Sequence, residues 1–251
     1  MQLNFKPEDT ALFLDFDGVI CDSVVECFTM SWYAYHHLYL QDKKDTTLVA
    51  NKKQFRKLRP MVRNSEDNVV IQYIINQRHR IQSQKDFDLL LQDIGQVKLK
   101  EFRSCFYDAR NLFLAEEKEF WLSLNNIFSP LLYPLQQAAD NPGVYILSTK
   151  KPLFIEEILK FNRIEWDFPR ILEARGRSKE KIITDVLSSA GFSKALFIDD
   201  QIDHLRSDGN GAITCYLAEW GYISEEGKKD FSVPHISLEK CARIIACYKN
   251  R

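Results

Sequence analysis

The chain has 251 residues, with 34 basic and 35 acidic side chains, a formal net charge of −1 and 45% hydrophobic residues. This balanced composition is typical of a globular protein and excludes a disordered, collagen-like or strongly basic nucleic-acid-binding chain. A chain of this length has room for one large domain or for two unequal domains, each with its own core.

The six cysteines are scattered along the chain without any C-x-x-C pair. Neither a zinc knuckle nor a small disulfide framework is therefore predicted, and a reducing compartment fits best. The N-terminal stretch carries acids and a proline before any apolar segment, and no run approaches the roughly 18 uncharged residues that a membrane span needs. We therefore expect a cytoplasmic protein with no membrane partner.

Three short apolar runs predict the strands of one sheet. They comprise residues 11–14, 144–147 and 195–198, and each is continuous rather than alternating. Continuous apolar runs are typical of parallel strands that are covered on both faces. Each run stops at polar residues, and ligands of open α/β sheets bind at the edge where the carboxyl ends of the strands meet. The sequence thus predicts an α/β fold with a ligand site at that edge.

The segment between the first two runs is too long for a simple βαβ crossover. More than a hundred residues separate the two runs, whereas a βαβ unit occupies about 30. The segment is rich in Gln, Lys, Arg, Leu and aromatic residues and has only Gly95 and Pro60 as breakers, which favours helix, although residues 32–35 would also suit a strand. We expect a core domain formed by residues 1–22 and 126–251, and an inserted helical cap domain formed by residues 23–125.

Two helices are predicted between the second and third runs. Pro152 is suited to begin the first, because the first position of a helix needs no N–H partner. The second spans residues 179–187, and its apolar spacing places Lys179 on the inward face with Ile182 and Ile183. Lys181 lies on another face, so Lys179 is the better candidate for a site lysine and Lys181 is the alternative.

Carboxylates follow the first and third strands. Asp15 and Asp17 alternate at the end of the first strand, so they point to the same side, and Gly18 then permits a sharp turn. Two such carboxylates are stable together when a cation is present, and oxygen ligands of this kind suit Mg²⁺. The third strand ends in a cluster able to supply further ligands, Asp199-Asp200-x-x-Asp203.

Hydroxyl groups follow the second strand. Ser148 and Thr149 lie where hydroxyl and backbone N–H groups can hold an anionic oxygen, close to the N-terminus of the helix that begins near Pro152. A carboxylate nucleophile, Mg²⁺, a hydroxyl donor and a lysine are together the groups that phosphoryl transfer uses. No nucleotide-binding P-loop motif occurs in the chain.

These residues carry a resemblance to a known family. Four segments, in this order, resemble the four motifs of the haloacid dehalogenase-like (HAD) superfamily: Leu14-Asp15-Phe16-Asp17-Gly18-Val19, Leu147-Ser148-Thr149-Lys150, Lys179 and Ile198-Asp199-Asp200-x-x-Asp203. The later Glu219-Trp220-Gly221-Tyr222 resembles a turn common in the phosphoglycolate phosphatase-like branch. The resemblance covers the predicted core and is faint in the insertion.

The resemblance implies a Rossmann-like core with a helical cap, Mg²⁺ dependence and hydrolysis of a phosphate monoester through an aspartyl-phosphate. Asp15 would attack phosphorus and bind the metal. Asp17 would protonate the leaving oxygen and later deprotonate the attacking water, and its backbone carbonyl would also reach the ion. Ser148 and Lys179 would steady the phosphoryl group.

The resemblance also assigns the third-strand cluster. Asp199 would be a direct metal ligand, and Asp203 would hold either a metal-bound water or Lys179. Asp200 occupies a position often taken by Ser or Thr, so its role is left open. Dehalogenases resembling this motif usually lack the aspartate two residues after the nucleophile, and the presence of Asp17 therefore disfavours dehalogenation.

Candidate substrate contacts lie in both predicted domains. The segment 52–63 carries six basic residues and no acid, which would place Arg59 or Arg63 over an anionic substrate if the segment is more than a solvated face. Thr149 is expected to contact the substrate as well. His204 is interpreted as a helix-start or packing residue, with substrate contact as the alternative.

The function predicted from the sequence is that of a Mg²⁺-dependent phosphatase for a small phosphorylated metabolite, with no nucleic-acid partner. The first alternative is a phosphotransferase or phosphomutase of the same superfamily, in which a second hydroxyl substrate takes the phosphoryl group. The second is a catalytically idle protein that binds a phosphorylated ligand.

Overall fold

The computed structural model describes residues 5–39, 48–174, 176–205 and 211–249. The chain divides into two compact units, one formed by Met1–Asp22 with Asn126–Arg251 and the other by Ser23–Asn125. We call them the core unit and the insert unit. Among the described helices, none is both long enough and apolar enough to cross a membrane.

The core unit contains the strands of the structure. They are β1 (Thr10–Leu14), β2 (Cys21–Asp22), β3 (Asn126–Ile127), β4 (Val144–Ser148), β5 (Ile171–Glu173), β6 (Lys194–Asp199), β7 (Ile213–Ala218) and β8 (His235–Ile236). Six of them form one parallel sheet in the order β5-β4-β1-β6-β7-β8. The other two, β2 and β3, pair in antiparallel fashion next to the two chain connections to the insert unit.

Helices are found in both units. The insert unit contains α1 (Val24–Tyr39), α2 (Leu48–Leu58), α3 (Asp67–Gln77), α4 (Gln84–Glu116) and α5 (Lys118–Ser123). The core unit contains α6 (Ser129–Ala138), α7 (Pro152–Phe161), α8 (Lys179–Ala190), α9 (Ile202–Leu205) and α10 (Leu238–Ala246). Short 3-10 turns span Arg59–Met61, Phe168–Arg170 and Gly227–Lys229.

The three apolar runs form the middle of the parallel sheet. β1 lies between β4 and β6, and Leu14 pairs with Ile146 on one side and with Ile198 on the other. Every residue of β1 and of β4 is buried, as expected for strands covered on both faces. The predicted α/β class, with a Rossmann-like parallel sheet and a helical insertion, is confirmed.

Local signals explain where the helices around the site begin and end. Pro152 occupies the first turn of α7. Ser178 caps α8, because its side chain accepts a hydrogen bond from the backbone N–H of Lys181, and Gly191 ends that helix in the left-handed conformation. In the insert unit the aromatic stretch around Trp32 is helical within α1, and α4 is interrupted at Gly95, where the backbone has a φ of 78°.

A buried ion pair lies in the middle of the insert unit. Both Glu26 and Arg110 are buried, and the guanidinium donates two hydrogen bonds of 2.7 Å to the two oxygens of the carboxylate. The indole N–H of Trp121 donates a third hydrogen bond to Glu26, at 3.1 Å. The charges of this pair are therefore well satisfied inside the insert unit.

Candidate active site

The candidate site begins where β1 ends. The backbone N–H of Asp15 still donates to the carbonyl of Ile198 at 2.9 Å, so the sheet fixes the position of this residue. The next residue, Phe16, is fully buried. The chain then turns, and the backbone N–H of Gly18 donates to the carbonyl of Cys21 at 2.8 Å. The rigid centre of the sheet thus carries the Asp15 carboxylate.

Glycines make room for a second carboxylate beside this turn. Gly18 has a φ of 90°, in the left-handed region, and a Cβ at this position would overlap the carboxylate of Asp200. A Cβ at Gly221 would overlap the same side chain. Asp200 is therefore packed between two backbone segments that only glycine allows to come so close.

Lys179 is buried between carboxylates. It lies in the first turn of α8, and its side chain shares the inward face with Ile182 and Ile183. Its Nζ lies 2.7 Å from Oδ2 of Asp199 and 3.1 Å from Oδ1 of Asp15. Lys181, the alternative lysine, is exposed.

Burial and neighbouring charges shift the pKa values of Lys179, Asp199 and Asp15. Burial alone would lower the pKa of Lys179, but the charges of Asp15 and Asp199 outweigh it and raise that pKa. Burial would raise the pKa of Asp199, but the ammonium of Lys179 outweighs it and holds that pKa low. Burial raises the pKa of Asp15, and the Asp199 charge adds to the rise, against the opposing effect of Lys179. The lysine therefore stays charged, and Asp15 needs further positive charge to ionise readily.

Three buried carboxylates converge at this point. Oxygens of Asp15, Asp199 and Asp200 lie within 4.8 Å of one another, and they form the one such group with metal-ligand spacing in the part of the chain that the structure describes. Asp17 and Asp203 lie outside that group, and Asp203 is exposed on α9. The sequence left the role of Asp200 open. In the structure its side chain belongs to the carboxylate cluster.

The two aspartates that follow β6 are held in different ways. Oδ1 of Asp199 accepts from the backbone N–H of Gln201 at 2.8 Å, and its Oδ2 lies 2.7 Å from Lys179 Nζ and 3.1 Å from Nδ1 of His204. Oδ2 of Asp200 accepts from the backbone N–H of Tyr222 at 2.7 Å. Both carboxylates are therefore fixed by neighbouring donors.

The Trp220-Gly221-Tyr222 turn supports the site through hydrogen bonds to the loop that follows β1. The indole N–H of Trp220 donates to the carbonyl of Val19 at 3.0 Å, and the hydroxyl of Tyr222 donates to Asp22 at 2.8 Å. Together with the Tyr222 N–H on Asp200, these bonds connect the segment after β7 to the loop after β1. The turn therefore supports two of the carboxylate-bearing segments at once.

The segment after β4 brings two buried side chains toward the same edge. Ser148 is buried, Thr149 is exposed and Lys150 is buried, so the side chains alternate as in a strand. The backbone N–H of Lys150 donates to the Ser148 hydroxyl at 3.3 Å, and its Nζ donates to Oδ1 of Asp17 at 2.9 Å. A second lysine is thus paired with a second aspartate of the site.

Sequence reasoning gave no role to Lys150 and interpreted His204 as a helix-start or packing residue, so neither contact with an aspartate was predicted. Lys150 was part of the quoted second motif, and the period-two alternation from Ser148 was the signal that would have placed it on the same side. For His204 the signal is weaker, because its approach to Asp199 depends on how the short helix α9 packs after β6. Both contacts depend on how the side chains are oriented, which a sequence motif does not specify.

The two arginines predicted to contact substrate lie in the insert unit. Arg59 is buried in the 3-10 turn that follows α2. The side chain of Arg63 donates to the carbonyls of Pro60 and Val62, at 2.8 and 3.2 Å. Their contact with a substrate remains a prediction.

The residues present fit a hard divalent cation. The converging donors are all carboxylate oxygens, and the buried Oδ1 of Asp15 has the Lys179 ammonium as an ionic partner at 3.1 Å. Counting Asp17, four carboxylates face two ammonium groups at this edge of the sheet, which leaves two formal negative charges. Carboxylate oxygens with this excess charge suit Mg²⁺.

Comparisons with known proteins identify the class of fold. No family model and no curated protein matches the sequence. A HAD-like family hydrolase from Streptococcus pneumoniae is similar in structure at 16% identity, with a TM-score of 0.57 over 97% of this chain and 100% of that one. A predicted phosphoglycolate phosphatase from Haemophilus somnus is similar at 10% identity, with a TM-score of 0.61 over 94% of this chain and 97% of that one.

A third solved structure, a HAD-superfamily hydrolase of subfamily IA from Geobacter sulfurreducens, matches at 13% identity with a TM-score of 0.56 over 95% of this chain and 96% of that one. At these identities the likeness concerns the fold. The chain therefore has the fold of the HAD-like hydrolases, over nearly its whole length, and the resemblance predicted from its motifs is confirmed at that level.

Proposed function

We propose that this protein is a Mg²⁺-dependent phosphatase that hydrolyses a small phosphate monoester through an aspartyl-phosphate on Asp15. The observation that carries the proposal is the placement of Lys179, whose ammonium lies 3.1 Å from Asp15 and 2.7 Å from Asp199 at the carboxyl ends of neighbouring parallel strands. A buried nucleophile, a buried cation and further oxygen ligands in one place are what phosphoryl transfer requires.

Mg²⁺ would be held by carboxylate oxygens of Asp15, Asp199 and Asp200 and by the backbone carbonyl of Asp17, and it would neutralise charge on the phosphoryl oxygens and on the nucleophile. The raised pKa of Asp15 supports the need for this charge. Because Asp199 already accepts from three donors, we propose Asp15 and Asp200 as the principal side-chain ligands. The role predicted for Asp203, which is to hold either a metal-bound water or Lys179, stays a prediction.

In the first step an oxygen of Asp15 forms a bond to phosphorus while the bond from phosphorus to the ester oxygen breaks. The leaving oxygen takes a proton from Asp17, which becomes a carboxylate. In the second step Asp17 removes a proton from water, the water oxygen bonds to phosphorus, and the bond to Asp15 breaks. Inorganic phosphate and the alcohol are the products, and both aspartates return to their starting states.

The remaining site residues would bind the phosphoryl group and the substrate. The Ser148 hydroxyl and the Lys179 ammonium would donate to phosphoryl oxygens as charge develops on them. The exposed Thr149 would contact the substrate at the mouth of the site, and Arg59 or Arg63 would contribute from the insert unit. The intact set of Asp15, Asp17 and Lys179 favours a catalyst over a protein that only binds a phosphorylated ligand.

The proposal is tested by phosphate release with and without Mg²⁺ from a nitrophenyl phosphate and a panel of small metabolite phosphates. We expect release that requires the metal and that falls by at least about a thousandfold in Asp15→Asn, since a nucleophile has no substitute in this mechanism. Asp185→Asn is the matched control, because Asp185 is exposed on α8. Equal rates in wild type and Asp15→Asn would contradict the proposal.

A further inference from the structure

Lys150 is a charged residue of the core unit that belongs to the second motif segment but has no role in the proposed mechanism. It lies two residues beyond the end of β4 and is only 2% exposed. Its Nζ lies 2.9 Å from Oδ1 of Asp17 and 5.4 Å from the centre of the Phe16 ring. The lysine therefore contacts two consecutive residues of the loop that follows the nucleophile.

The burial of this lysine has to be compensated. An ammonium group removed from water is unfavourable unless it is paired and hydrogen-bonded. The carboxylate of Asp17 supplies the charge, and the face of the Phe16 ring supplies a further electrostatic contact. The backbone of Lys150 is fixed as well, because its N–H donates to the Ser148 hydroxyl. Such a tightly held side chain has few ways to move away from Asp17.

Asp17 needs a partner of this kind to act in catalysis. Its side chain is 17% exposed, and it lies beyond the last residue of β1 that pairs in the parallel sheet, where its backbone forms an isolated bridge with Cys21. A general acid and base works only when its oxygen is held within hydrogen-bond reach of the reacting oxygen. We propose that Lys150 is the positioning residue that holds Asp17 in its catalytic orientation, an inference that rests on the phosphatase function proposed above.

The proposal predicts a dependence on the leaving group. An alkyl phosphate needs a proton on its leaving oxygen, whereas a dinitrophenyl phosphate leaves as a stable anion without one. Asp17 also activates water in the second step, which is the same for both substrates, so the selectivity is measured in kcat/KM, which reports the steps up to departure of the leaving group. In kcat/KM, Asp17→Asn should lose far more with the alkyl phosphate than with the dinitrophenyl phosphate. If Lys150 acts through Asp17, Lys150→Met should show the same selective loss in kcat/KM, about a hundredfold for the alkyl phosphate and under about tenfold for the dinitrophenyl phosphate.

The decisive experiment is a double-mutant cycle on kcat/KM with both substrates. We expect Lys150→Met to change the kcat/KM of the Asp17→Asn variant by less than about threefold, because the side chain that Lys150 positions is already absent. If Lys150 instead contacts the phosphoryl group, the fold-losses in rate of Lys150→Met and Asp17→Asn should multiply in the double variant. Both substrates should then be affected alike. Multiplicative losses, or equal losses for both substrates, would overturn the proposal.

The controls separate this proposal from folding and from the proposed function. Lys151→Met removes the same charge from the exposed neighbouring lysine and should leave kcat unchanged. If Lys150→Met does not fold by circular dichroism, Lys150→Arg enters the cycle, because it keeps the charge but displaces the donor atoms. Asp15-dependent hydrolysis with an additive Lys150 effect would overturn the positioning role alone, whereas a wild type with no Asp15-dependent hydrolysis would overturn both.

Discussion

Asp200 depends on two neighbouring loops for its position. Gly18 and Gly221 leave the space that its side chain fills, and the backbone N–H of Tyr222 fixes its Oδ2. A substitution at either glycine would displace this carboxylate. The position of Asp200 therefore follows from two loops that are distant in sequence, which is why the motif alone left its role open.

A pair of conservative substitutions separates the two candidates in the acidic cluster after β6. Asp200→Asn keeps an oxygen for the Tyr222 N–H but removes a charge from the converging group, whereas Asp203→Asn removes an exposed charge. We expect Mg²⁺ at about a hundredfold above its Kd to raise the Tm of wild type and Asp203→Asn by about 5 °C, and to raise that of Asp200→Asn much less. Thermal unfolding with and without Mg²⁺ measures this. The reverse pattern would assign the metal to Asp203.

At the scale of single elements, the amino end of α3 contains a buried acid with an unusual titration. Burial raises the pKa of Asp67 to about 6, although the backbone N–H groups of Arg63 and Asn64 both donate to its Oδ2 at 2.8 Å and oppose the rise. Because the folded pKa lies above the unfolded one, the folded state binds the proton more tightly. This stabilising contribution is present at low pH and is lost as the pH rises through 6.

The pH dependence of unfolding tests this titration. Between about pH 5 and about pH 8 the wild type should lose about 1 kcal/mol of unfolding free energy through Asp67, a loss that Asp67→Asn should not show. Urea denaturation of both proteins at the two pH values measures the difference. The control is Asp86→Asn at the capping box of α4, where the acid is half-buried and its pKa is lowered rather than raised. Identical pH dependence in wild type and Asp67→Asn would contradict this account.

The pair of Glu26 in α1 and Arg110 in α4 joins two helices of the insert unit. Arg110→Met would leave a buried carboxylate without its cation, and we expect a loss of about 3–5 kcal/mol in unfolding free energy. Lys98→Met is the control in the same helix, because Lys98 pairs with Glu101 and the two side chains are 36% and 46% exposed, so its loss should cost about 1 kcal/mol or less. Tryptophan fluorescence, to which Trp121 beside Glu26 contributes, follows unfolding of both variants. Equal losses in the two variants would contradict the structural role assigned to the buried pair.

Element prediction from the sequence succeeds where one local signal dominates. The continuous apolar runs predict β1, β4 and β6 because both faces of these strands are covered, and Pro152 marks the start of α7 because the first helical position needs no N–H donor. The inward face of α8 likewise predicts the burial of Lys179. Short strands such as β2 and β8 escape prediction, since two residues carry no periodicity.

At the scale of the whole molecule, the site is produced by topology. Asp15, Ser148 and Asp199 are far apart in sequence, and they come to one edge because β1 lies between β4 and β6 with the three strands parallel. This convergence can be predicted from strand order and direction. The ion pair of Lys150 with Asp17 and the contact of His204 with Asp199 cannot, because they depend on rotamers and on loop packing after the strands have ended.

The contribution of the insert unit to the site is also hard to predict from the sequence. The six bases of segment 52–63 predict an anion contact in general terms. Arg59 is nevertheless buried in its own unit, and the side chain of Arg63 donates to two carbonyls of its own segment. Whether either arginine meets the substrate depends on the substrate's size and charge, which no periodic pattern in the chain encodes.

The central claim is that Asp15 becomes phosphorylated, and the most direct measurement is a rapid acid quench during turnover of a phosphate monoester with Mg²⁺, followed by proteolysis and mass spectrometry. The account predicts a phosphoryl adduct on the peptide that carries Asp15, formed fast enough to precede phosphate release and absent from Asp15→Asn. Metal-dependent phosphate release without this adduct under conditions that preserve acyl phosphates, or an adduct on another residue, would contradict the account.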